Sequence, residues 1–163
     1  MRTAEYWIEK LALKSHPEGG YYNETYRSPG TLEHELFDGS RNFSTAIHYM
    51  LESHEVSTFH RLKSDELMHF YYGDCFTVYV INDDSGELSE INLGSDLENG
   101  ETFQGLIKAG DWFGAKVNKP DTYGLIGCTV APGFDFSDFE IAQRGVMLEK
   151  FPQHEKIITK LTR

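Results

Sequence analysis

A chain of 163 residues with 39% hydrophobic and 13% aromatic residues is sized and composed for one folded domain, taken as residues 1–163, able to bury a core without disulfides. A formal net charge of −11, with no run of Lys and Arg, excludes nucleic acid and anionic membrane surfaces as partners. No stretch approaches the roughly 18 consecutive apolar residues of a membrane span, the first residues lack the apolar core of a leader peptide, and Cys75 and Cys128 read as buried, reduced thiols, so the expected location is cytoplasmic.

The first predicted element is a helix over residues 3–14, with Tyr6, Trp7, Ile8, Leu11 and Leu13 as its apolar face and Thr3 as its cap. It must stop before His16-Pro17-Glu18-Gly19-Gly20, because proline and paired glycines cannot continue it. From there the hydrophobic period changes to two. Strands are predicted over 21–27, 43–51, 57–62, 66–72, 75–81, 88–93, 102–107, 111–116 and 123–130. Turn signals such as Ser28-Pro29-Gly30, Gly73-Asp74 and Asn99-Gly100 separate them. The tail turns helical again, in part over 139–151 and then over 153–161. Many short strands with glycine-rich turns imply an all-β sandwich or barrel with short N- and C-terminal helices.

His60 and Glu66 carry the strongest chemical signal. They stand six apart at the head of a predicted strand pair. An imidazole and a carboxylate meeting in one hollow suit metal binding or acid–base work. Strand alternation puts His60 with Thr58 and Leu62, puts Glu66 with Met68 and Phe70, and turns His69 away from Glu66. His48 shares a face with Ser44, Ala46 and Met50, and alternation alone does not say which face of that strand looks inward. Arg27, Arg41, Arg61 and Lys63 fall near the expected mouth, where cations hold carboxylates or phosphates.

From His60 to Gly73 the chain reads His-x-Leu-x3-Glu-x6-Gly. This resembles the first motif of the cupin superfamily, His-x-His-x3-Glu-x6-Gly, with Leu62 at the second histidine position. Longer runs, at 16–21, 24–28, 44–47, 60–74 and 127–139, resemble the cupin-5 branch, a domain of unknown function. The resemblance implies a double-stranded β-helix, or jelly-roll, barrel that is often a homodimer and encloses a small-molecule cavity. Metal-binding cupins take a further histidine from a second motif, whose counterpart here is Lys108 to Phe113, with Phe113 at the histidine position. No histidine stands between His69 and His154. No metal or cofactor is therefore expected.

The chain is also broadly similar to dTDP-sugar epimerase-type cupins. That likeness implies a metal-independent epimerase or isomerase acting on a carbohydrate-like substrate, with His60 as base, Glu66 orienting it, and Tyr79 or Tyr49 as acid. The expected ligand-binding residues are Glu18, Tyr21, Arg27, His48, Met68, Phe70 and Phe113. A metabolite-binding module without turnover and a degenerate metal-dependent cupin enzyme are the alternatives.

Overall fold

The computed structural model describes residues 2–163. In chain order the elements are α1 (Ala4–Lys10), β1 (Lys14–Ser15), β2 (Tyr21–Arg27), β3 (Thr31–Leu32), β4 (Arg41–Asn42), β5 (Thr45–Glu52), β6 (Ser57–Arg61), β7 (Asp65–Gly73), β8 (Phe76–Ile81), β9 (Leu88–Leu93), β10 (Gln104–Ile107), β11 (Trp112–Val117), β12 (Tyr123–Ala131), β13 (Glu140–Ile141), α2 (Arg144–Lys150) and α3 (Glu155–Lys160). A six-stranded antiparallel sheet, β1-β2-β5-β12-β7-β10, faces a five-stranded one, β13-β6-β11-β8-β9, and β3 and β4 form a separate hairpin. This is an all-β jelly roll.

Alternation explains the layers. On β8, Phe76, Val78 and Val80 point into the space between the sheets, while Tyr79 and Ile81 point outward. On β12, Ile126, Cys128 and Val130 face inward and Leu125 faces out. The outward row of the five-stranded sheet is covered by the C-terminal helices, whose Met147, Phe151, Ile158 and Leu161 pack on Phe59, Ile81 and Trp112. Each such buried side chain is worth about 1.5–3 kcal/mol. Helix α1 covers one end of the six-stranded sheet, with Ala4 and Trp7 against Met50, Tyr123 and Leu125. No helix of the described residues is long and apolar enough to cross a membrane.

The structure departs from the predicted boundaries in three informative places. The first helix ends at Lys10, not at 14, and Ala12 takes a positive φ of 51°. Lys14 and Ser15 then pair with Tyr22 and Tyr21. The 16–20 segment is therefore a hairpin turn as well as a helix stop, closed by the His16 N–H donating to the Gly20 carbonyl at 2.9 Å. The predicted 139–151 helix is shortened because Glu140 and Ile141 are captured by β6 as an edge strand. The predicted 153–161 helix opens as a 3₁₀ turn at Pro152–His154 before α3 begins.

Candidate functional site

Between the sheets lies a cavity of about 60 Å³, measured over the positions open to the centre of a water molecule. Its walls are mostly apolar, with Ile47, Met68, Ile126 and Val130 among them. Polar groups enter from two sides. One side is built by strand β6 and the 16–20 turn, the other by β7.

Strand β6 is not regular. Phe113 pairs with His60 while Ala115 pairs with Ser57, so three residue steps on β6 match two on β11. This bulge turns Ser57 and His60 to the same face and takes Thr58 off it. Gly114 permits the irregularity, since a Cβ there would stand 2.8 Å from the Ser57 carbonyl oxygen. The Thr58 N–H, which the bulge presents to the 16–20 turn, donates to the Glu18 carbonyl at 2.9 Å. Gly19 follows with a φ of +117°, and a Cβ there would lie 2.1 Å from the Val56 oxygen. Only glycine lets the turn approach closely enough to drive the Glu18 side chain into the core.

Glu18 is the hub of this wall. Its carboxyl accepts from the Ser57 hydroxyl at 2.9 Å, and its Oε2 is 3.0 Å from His60 Nε2. The other nitrogen of His60, Nδ1, donates to the Thr58 carbonyl at 2.7 Å. A carbonyl only accepts, so Nδ1 carries a proton. Nε2 therefore faces Glu18 Oε2 in a close contact, and a hydrogen bond across it would need a further proton on one of the two groups. His16 Nδ1 also lies 3.4 Å from Glu18 Oε2, but it receives the Glu18 backbone N–H at 3.3 Å and so has no proton to share. Burial lowers the His16 pKa, with the Glu18 charge pulling the other way. His16 is therefore the neutral tautomer with its proton on Nε2.

The opposite wall is bare. Glu66 is buried in β7, and burial pushes its pKa up from 4.5 to about 7, with His60 opposing the rise. The Cys128 thiol on the adjacent strand is the one hydrogen-bonding group beside this carboxyl among the described residues. Cys128 is raised well above the ordinary thiol range by burial and by Glu66.

The 132–139 segment roofs the cavity through Phe134 and Phe139. It is tied down by the buried Arg41 guanidinium, which grips Asp138 with Nε to Oδ2 at 2.6 Å and Nη2 to Oδ1 at 2.9 Å. Thr45 Oγ1 accepts the Phe134 N–H at 2.9 Å, which anchors the middle of the roof.

With this geometry in view, the relatives are informative. A family model described as Cupin superfamily (DUF985), Cupin_5, matches residues 5–142. The chain belongs to the Cupin_5 family. A crystal structure of protein SO0799 from Shewanella oneidensis has a TM-score of 0.92 at 41% identity and covers 100% of this chain and 99% of that one. The uncharacterized protein YML079W of Saccharomyces cerevisiae is 35% identical over 148 residues, 80% of this chain and 71% of that protein. A dTDP sugar isomerase from Desulfovibrio desulfuricans shares the fold at a TM-score of 0.55 and 14% identity, over 75% of this chain and 83% of that one.

Cupins commonly hold a metal, and the residues of this Cupin_5 chain do not fit one. Leu62 and Phe113 offer no donor, and His60 has both nitrogens engaged by Thr58 and Glu18. Among the described residues, three ligand atoms converge within 4.8 Å only at Glu52, His54 and Glu55, which do not line the cavity.

Of the residues singled out in the sequence, His60, Glu66, Glu18 and Met68 line the cavity. His60 does so with Ser57 and Leu62, not Thr58, because of the bulge, and its carboxylate partner is Glu18, not Glu66. Phe113 stands behind it, its ring centroid 4.0 Å from the imidazole. Phe70 keeps the register of Met68 and Glu66 against β12 and packs against the same core, but it does not line the cavity. Tyr21 faces the α1 side while its neighbour Tyr22 lines the cavity. His48 is on the outer face, edge-on to Tyr71 at 5.9 Å, and Ile47 and Tyr49 take the inner one. Arg27 is committed to Glu24, Asn42 and the Phe134 carbonyl. Tyr79 lies on the helix-covered face of β8, so Tyr49 is the tyrosine inside. Tyr49 donates to the Gly19 carbonyl at 2.9 Å, and burial with the Glu18 charge raises it well above the usual phenol range. His16, Ser57 and Tyr22 were missed. Tyr22 follows from alternation once Tyr21 faces α1, but the bulge and the turn that deliver Ser57 and His16 have no local pattern.

Proposed function

We propose that the cavity binds a small carbohydrate-like molecule and moves a proton on it without a metal, as an isomerase or epimerase working beside a carbonyl. The observation that carries this reading is a pair of acid–base poles on opposite sheets, one of them Glu66 at about 7 and lacking a partner nitrogen or oxygen. Ionised Glu66 takes the proton from the carbon next to the carbonyl. The developing enolate oxygen draws on the proton held between His60 and Glu18. Glu66 then returns its proton to carbon while an enol oxygen gives its proton back to the His60–Glu18 pair, which re-forms a carbonyl and restores both poles. In this scheme His60 serves with Glu18 as the proton donor and not as the base, since Nδ1 is committed to the Thr58 carbonyl and Nε2 faces Glu18. The likeness to the dTDP sugar isomerase supports the fold alone, at 14% identity.

The test is solvent deuterium exchange. Small hydroxy-ketones and hydroxy-aldehydes incubated with the protein in D2O should lose their α C–H signals by NMR. Glu66→Gln should slow this by on the order of 10²–10⁴, and undiminished exchange in that variant overturns the proposal.

A second reading, a metabolite-binding module, is favoured by the roof latched through Arg41 and Asp138. Saturable stabilisation with no exchange for any bound compound would decide for it. We also propose a homodimer that covers the outer face of the six-stranded sheet, where Tyr71 and Leu106 are each 52% exposed. A monomer mass by light scattering rules that out.

A further inference from the structure

We infer that the ligand of this cavity is short and carries no net charge, an unphosphorylated hydroxy-carbonyl compound and not a sugar phosphate or a nucleotide-linked sugar. This rests on the small-molecule reading above and adds the ligand's charge and length to it.

Four observations converge. The first is size. A single water needs roughly 10–15 Å³ by the measure used for cavities of this kind, so about 60 Å³ holds the equivalent of a few waters, not a nucleotide. The second is that the cations near the mouth are already committed. Arg27 is held by Glu24, Arg41 by Asp138, and Arg61 by Asp83 and Glu140. Lys63 lies 3.7 Å from Asp138. None of the four lines the cavity. The third is that the chargeable groups inside include two carboxyls, Glu18 and Glu66. The lining contains no Lys or Arg, so a phosphate or carboxylate would be buried beside these carboxyls without a lysine or arginine to pair with it, which is unfavourable.

The fourth is the pattern of hydrogen-bonding capacity left for a ligand. His60 is engaged at both nitrogens, and Glu18 is engaged at both oxygens. The neutral His16 keeps its Nε2–H as a donor. Glu66, at about 7, offers an O–H from the opposite sheet in its protonated form. Two donors at separate poles, in a cavity also lined by Ile47, Ile126 and Val130, suit a molecule with an oxygen acceptor at each end and a short apolar middle. An ammonium group would meet a donor at the His16 pole and would have to ionise Glu66 at the other.

Three-carbon probes of matched shape test this directly. Hydroxyacetone and dihydroxyacetone are uncharged, lactate and dihydroxyacetone phosphate are anions, and 1-amino-2-propanol is a cation. Titrations at constant ionic strength are read from the methyl resonances of Met68 and Ile126, which line the cavity. Saturable shifts are expected with the two uncharged compounds, at least tenfold tighter than with the charged ones. Tighter binding of lactate, dihydroxyacetone phosphate or 1-amino-2-propanol overturns the inference, and so does the absence of saturable shifts with both uncharged compounds. Hydroxyacetone that binds without deuterium exchange would leave this inference standing and remove the catalytic reading. Exchange on the phosphorylated compound, with tighter binding of it, would do the reverse.

Discussion

The wall around His60 and the wall around Glu66 enclose the same space but differ in how far their hydrogen bonds are already satisfied. Glu18 takes bonds from Ser57 and His60, His60 gives one to Thr58, and His16 is fixed by a backbone amide. Among the described residues, Glu66 has the Cys128 thiol as its one hydrogen-bonding partner. A satisfied network holds its groups in one geometry and resists change. An unsatisfied buried carboxyl is costly to the fold and available to a ligand. In the proposed reaction the first wall holds its groups in place and serves the oxygen of the substrate, and Glu66 exchanges the proton on carbon.

The largest expected effect breaks the comparison at its bare side. Glu66→Gln should lower proton exchange by on the order of 10²–10⁴ while making the protein more stable at neutral pH. The sign follows from the raised pKa. Between 4.5 and about 7 the folded chain holds a proton that the unfolded chain has released, so wild-type stability falls as pH rises through that window. The loss amounts to about 3 kcal/mol at about 1.4 kcal/mol per pH unit. Denaturant melts at pH 5 and pH 8 should show this slope in the wild type and not in the variant. An unchanged slope would mean that Glu66 is solvated in solution.

Next comes the wired side. Glu18→Leu takes the partner from both His60 Nε2 and the Ser57 hydroxyl in a buried setting, and a loss of about 3–5 kcal/mol is expected. Glu18→Gln should cost far less, because the amide can donate to a neutral His60 Nε2 and still accept from Ser57. Equal losses in the two variants would show that no hydrogen bond links residue 18 to His60. A smaller effect is expected from Gly19→Ala. Its positive φ and the 2.1 Å approach to the Val56 oxygen force the turn to move, at a cost of about 1–3 kcal/mol by denaturant midpoint. The smallest is Tyr79→Phe, which should alter stability by no more than about 0.5 kcal/mol and leave exchange untouched. Any loss of exchange there would place the acid outside the cavity described above.

Much of the architecture was legible because its causes are local. Nine period-two runs became strands, with Leu88–Leu93 and Tyr21–Arg27 placed to the residue. Alternation within β7 correctly joined Glu66 to Met68. The same rule failed on β6, where an extra residue exchanges Thr58 for Ser57, because a bulge depends on the partner strand and on Gly114 in it. It was silent on His48, and it could not choose between Tyr79 and Tyr49, the two tyrosines that the epimerase likeness offered, because which face of a strand looks inward depends on what covers the other one. For Tyr79 that cover is the α2–α3 layer, sixty or more residues further along the chain.

Residue pattern by itself determined a strand-rich sandwich or barrel, and the likeness to the cupin motifs added the jelly roll, the place of Glu66 in a cavity wall and the missing metal donors at Leu62 and Phe113. Period and turns are set by neighbouring side chains, which act over a few positions. Only the tertiary structure decided that Glu18 is the partner of His60 and that Glu66 stands alone. Those outcomes need a turn from one end of the chain to dock on a distorted strand forty residues away, and no short-range rule encodes that meeting.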